Sequence, residues 1–85
     1  MATQSRMWLR VRVAEGLFPS ERTVFFTTSE GEEVSAFVVV GQTDETRQLM
    51  TVTLLDEDEK NALVQVPSQG GMSTARVAKE TMIAA

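Results

Sequence analysis

The sequence predicts an all-β domain, a small antiparallel barrel of five to six strands. Eleven Val, ten Thr and one Ile make 22 of 85 residues β-branched, against six Leu, and branching at Cβ suits a strand better than a helix. No stretch sustains the 3.6-residue apolar period of a helix, whereas short alternating runs recur between turns rich in Gly, Pro or charge. Five Gly and two Pro in one chain with no low-complexity linker assign residues 1–85 to a single domain. A chain this short hides only about 60–65% of the surface its unfolded form exposes, so a thin core and about 5 kcal/mol of stability are expected.

The first strand is the clearest. From Arg6 to Val13, Met7, Leu9, Val11 and Val13 fall on one face and Arg6, Trp8, Arg10 and Arg12 on the other. Gly16 and Pro19 break the run, and Leu17 and Phe18 are expected to tuck under this loop as a cap on the core. Thr23 to Thr28 alternates again, and Ser29-Glu30-Gly31-Glu32 turns it into Val34 to Val40 as a hairpin, with Gly31 supplying positive φ. The apolar residues on both faces at Phe37 to Val40 suit a central strand or one bending around a barrel corner. Gly41 to Gln48 is polar and is expected to be a mobile loop.

Leu49 to Leu55 and Asn61 to Val66 form a second hairpin around Asp56-Glu57-Asp58-Glu59-Lys60. Pro67 is expected to end that ladder by removing a donor, and Ser68 to Gly71 to be a flexible turn. Ser73 to Ile83 is open to two readings: Ala75, Val77 and Lys79 alternate as in a strand, while the last residues could make a helical turn.

A meander of this kind, ending in a short strand and one helical turn, is similar to the small barrels of the SH3-like class by architecture alone. An OB-like barrel or an open two-layer meander fits nearly as well. No family motif is matched residue by residue, so no family's site residues carry over.

Composition narrows the chemistry. The chain contains no His, Cys or Tyr, which removes Ser-His and Cys-His catalysis, thiolate chemistry and the common zinc ligand sets. Proton transfer is left to carboxylates and to Lys60 or Lys79, all in exposed contexts, so a small enzyme using carboxylates ranks third among the readings. Asp56 to Glu59 offers oxygen ligands but fails the calcium-loop pattern at Lys60 and Asn61, and reads as a solvated turn. Gly70-Gly71 lacks the Lys-Ser or Lys-Thr and the helix of a phosphate cradle. No metal or cofactor is expected. Without Cys a reducing, cytoplasmic compartment is expected; no apolar run is long enough to span a membrane, and Met1 to Leu9 lacks a secretory core.

Charge is the most informative feature. Residues 1–14 carry +3, residues 15–59 carry −9 and residues 60–85 carry +2, for a net −4. If the first and last strands are neighbours, Arg6, Arg10, Arg12, Arg76 and Lys79 share one face around Trp8, a guanidinium and indole surface suited to carboxylate groups, a peptide, or phosphate and stacked bases. The bland alternative pairs these arginines with the surplus acids across strands. The expected function is thus a non-catalytic protein-interaction or assembly domain, binding through the Trp8 and Arg face or through a sheet edge. The alternative is a single-stranded nucleic-acid-binding barrel, disfavoured by a pI near 4.7 and by the lack of exposed stacking aromatics other than Trp8.

Overall fold

The first alternating run is one strand that changes sheets. In this computed structural model, which describes residues 5–68 and 71–84, β1 (Ser5–Arg10) and β2 (Arg12–Glu15) are separated only by Val11. The remaining strands are β3 (Glu21–Thr27), β4 (Glu33–Val39), β5 (Thr43–Asp44), β6 (Leu49–Glu57), β7 (Asn61–Ser68), β8 (Gly71–Ala78) and β9 (Met82–Ala84). Two 3-10 turns, Val40–Gln42 and Lys79–Thr81, are the helical structure among the described residues. The fold is all-β and antiparallel, as the β-branched composition predicts, and among the described residues no helix is long and apolar enough to cross a membrane.

One sheet runs β8-β7-β6-β1-β9, with β5 also on β6, and the other β2-β3-β4. Because β1 continues into β2, the ladders run as one antiparallel path from β8 through β7, β6, β1 and β2 to β3 and β4, with β9 a short branch on β1. The core fills the space between the sheets. Leu9, Val24, Val38, Met50, Val52, Ala62, Val64, Val66 and Val77 are almost wholly buried, with Met7, Val13, Leu54 and Met82 packed around them. Strand parity in the first run is therefore as its alternation predicts.

Several local expectations are corrected. Leu17 and Phe18 do not cap the core; they are 78% and 65% exposed. Glu21 fills the loop instead, its buried carboxylate accepting the Leu17 N–H at 2.8 Å, which turns the two apolar side chains outward. Pro67 does not end β7, which pairs with β8 as far as Ser68↔Gly71. The β6–β7 ladder stops at Thr53↔Gln65, so Pro67 lies beyond it and its missing donor forfeits nothing on that side. The polar stretch after Gly41 is tied down: β5 pairs with β6, and Gln48, at φ 57, accepts the Val11 N–H on its carbonyl and the Val13 N–H on its side-chain oxygen. The end of the chain uses both of its readings, a strand through Ala78, then a 3-10 turn, then β9 against β1. The turn expected at Ser68 to Gly71 has Gln69 and Gly70 outside the described residues.

The acidic turn has its own order. Asp58 accepts the backbone N–H groups of Asn61 and Lys60 at 2.7 and 2.9 Å, and these bonds, Asn61's first, hold its carboxyl below the ordinary range. A lowered folded pKa gives stability that is present above the unfolded value of about 3.9 and lost as pH falls through the folded one. Carboxyl-carbon NMR titration is expected to place the Asp58 midpoint below that reference; a midpoint at or above it would show that the turn does not hold the carboxylate.

Candidate functional site

The arginines around Trp8 occupy three places rather than one. Trp8 points out from β1, half-buried between Thr51 of β6 and Ile83 of β9. The Arg47 guanidinium lies 5.5 Å from its ring centroid and bonds Asp44 at 2.7 Å, forming a charged lid. That Asp44 carboxyl is held below the usual range, first by this Arg47 side-chain bond and then by the Arg47 backbone N–H. Arg6 and Arg10 flank Trp8 on the same face, exposed and without an ion pair among the described residues.

Arg12 stands past the bend at Val11, on the second sheet, its guanidinium 4.1 Å from the Phe25 ring centroid. Arg76 is on β8, three strands from β1, a distance of roughly 14 Å at about 4.8 Å per strand. It borders the acidic turn, sharing a hollow with Asp56, Glu57 and Asp58. The expected five-residue face fails at Arg76 because the last long strand hairpins onto β7, and only short β9 crosses back to β1. Lys79 likewise faces Glu57, at 3.6 Å. The cross-strand pairing of the bland alternative does not occur for Arg6, Arg10, Arg12 or Arg76 among the described residues.

A second feature is the seam between β4 and β8. A groove of about 380 Å³ runs along it, walled by Phe26, Val34, Ala36, Phe37, Val66 and Ala75, with Glu32 and Ser73 also on its lining. Phe37 and Val39 are nearly half exposed on β4. The both-sided apolarity of this strand suits a central strand or one bending around a barrel corner in sequence, yet β4 is an edge, because among the described residues β8 pairs with β7 alone.

The seam's hydrogen-bonding capacity follows from ladder phase. In an antiparallel pair, alternate residues aim both backbone groups at the neighbour and the others aim them away. Val40 N–H bonds Ser20 O and Thr28 N–H bonds Glu32 O. Even-numbered residues of β4 therefore serve β3, and Glu33, Ser35 and Phe37 turn their N–H and C=O groups toward the seam. On β8, Arg76 O accepts the Ser29 N–H at 2.8 Å, so Arg76 and Thr74 face the seam from the other side. That one bond zips the end nearest the β3–β4 turn; beyond it the edges part.

The strand order makes β4 and β8 antiparallel across the gap, so one further strand can lie between them, antiparallel to one edge and parallel to the other. No cluster of three or more metal-ligating side chains exists among the described residues. What the groove can do is hold a chain: it has apolar walls and free backbone groups on both lips. Compared with family models, with curated proteins and with solved structures, the chain has no match.

Proposed function

We propose that the protein is a non-catalytic interaction domain that takes up an extended segment of a protein partner by strand addition in the β4/β8 seam. The observation that carries this reading is the groove flanked by two strand edges that, past the Ser29–Arg76 bond, have no ladder partner among the described residues. An unpaired edge is a liability unless it is covered or used, and main-chain bonds to an added strand supply affinity while alternate side chains fill pockets. A cytoplasmic setting accords with a chain free of Cys. Nucleic acid is the weaker alternative: net charge is −4, and Arg76 stands apart from the arginines at Trp8, so no continuous cationic track supports backbone binding.

Amide-exchange NMR with a short alternating Val-Thr peptide tests the reading. The Ser35, Phe37 and Thr74 amides should slow their exchange on binding, because these groups face the seam. Shifts confined to Trp8, Arg6 and Arg10 would move the site to that face and overturn the seam.

A further inference from the structure

Resting on the seam reading, a second property of the groove follows from charge. Glu32 lines the groove at the end zipped by the Ser29–Arg76 bond, and Glu30 stands exposed in the same turn. Neither carboxylate has an ion pair among the described residues. Neighbouring Glu33 shares a shallow hollow with Arg12 on the outer side. The opposite lip is neutral at Ser73, Thr74 and Ala75, and so is the far end at Phe37; Arg76, at the zipped end, shares its hollow with Asp56, Glu57 and Asp58 of the acidic turn. The groove is therefore asymmetric along its length, with carboxylates at one end and an uncharged lining along the rest.

The two edges are also unequal. β4 turns backbone groups to the seam at Glu33, Ser35 and Phe37, whereas β8, beyond the bonded Arg76, does so by the same phase at Met72 and Thr74. The longer edge sets the orientation, since antiparallel pairing is the more stable per residue. A strand antiparallel to β4 ends where β4 begins, beside Glu32. We infer that the occupant is an extended segment with apolar side chains at alternate positions and Lys or Arg at its C-terminal end.

A second copy of this chain is a poor fit by the same argument. Antiparallel β4 against β4 would set Val38 and Val39, not a cation, beside Glu32 and Glu33. Parallel β4 would stack the two acidic ends on each other, which is unfavourable.

Three fluorescent peptides test this with the intact chain: Val-Thr-Val-Thr-Val-Lys-Lys, the same peptide ending in Glu-Glu, and one with the two Lys moved to the N-terminus. Anisotropy should show the first binding at least tenfold more tightly than the other two. Glu32→Lys should reverse the preference between the Lys-ended and Glu-ended peptides. Ser35→Pro, which removes a seam-facing N–H without touching the β3 ladder, should abolish binding while circular dichroism stays native. Thr74→Pro does the same on the other lip and guards against one variant failing to fold.

Equal binding of all three peptides, lost in the Pro variants, overturns the charge inference and leaves strand addition standing. No binding at all, or binding indifferent to both Pro changes, overturns strand addition and this inference with it. A dimer in sedimentation that Ser35→Pro dissolves assigns the seam to a second copy and overturns the basic occupant.

Discussion

Leu9→Ala is expected to lower the unfolding free energy by about 2–5 kcal/mol, because the truncation opens a hole where both sheets meet. Leu9 is 1% exposed and belongs to the cluster that joins the two sheets. It pairs with Met50 on one side and Met82 on the other, so the wall around the vacated volume is built from three strands and has little freedom to collapse. In a domain with about 0.05–0.15 kcal/mol of stability per residue, such a loss unfolds a sizeable fraction of molecules at room temperature. Urea titration is the measurement. A shift in midpoint worth less than about 1 kcal/mol would mean that the core relaxes around the hole.

Gly16→Ala is the second large effect and has a different origin. A Cβ at Gly16 would sit 2.7 Å from both the carbonyl carbon and the carbonyl oxygen of Glu21, and backbone cannot step aside as a side-chain tip can. The Glu21 carboxylate that accepts the Leu17 N–H must then shift as well, leaving a buried charge without its donor. A loss of about 2–3 kcal/mol is expected. Gly41→Ala is the control, because nothing lies within 4 Å of a Cβ there; it should change stability by less than about 0.5 kcal/mol. Equal effects at the two glycines would show that the clash is not the cause.

The strands are legible in the sequence because alternation reports which side of a strand is buried, and that signal is local. Met7, Leu9, Val11 and Val13 face in and Trp8 faces out for this reason alone. What is not legible depends on partners distant in sequence. Nothing in Val34 to Val40 says whether a neighbour covers it, since a central strand and an edge used for binding both show apolar residues on two faces. Grouping Arg76 with Trp8 presumes that the final strands return to the first, and among the described residues it is Met82–Ala84 that do so. The exposed Leu17 and Phe18 turn on one carboxylate, Glu21, whose inward placement no hydrophobic pattern reveals. The seam has one faint sequence signal, the uncharged run from Val34 to Val40 immediately after three glutamates at 30, 32 and 33, which resembles an edge guarded by charge at one end.

The strand that bends at Val11 bears on how small a piece of this protein could still present its groove. One lip, β4, is held by β3, which is held by β2; the other, β8, is held by β7, which is held by β6, which pairs with β1. By strand pairing the two lines of support meet in the continuous backbone of Ser5–Glu15, and the Ser29–Arg76 bond ties the lips at one end. Either hairpin excised alone carries a single lip and no opposite wall, and an isolated two-stranded hairpin is marginal in water. The recognition element is therefore not a transplantable loop or hairpin but a spacing between two edges, and that spacing is a property of the whole path of strands.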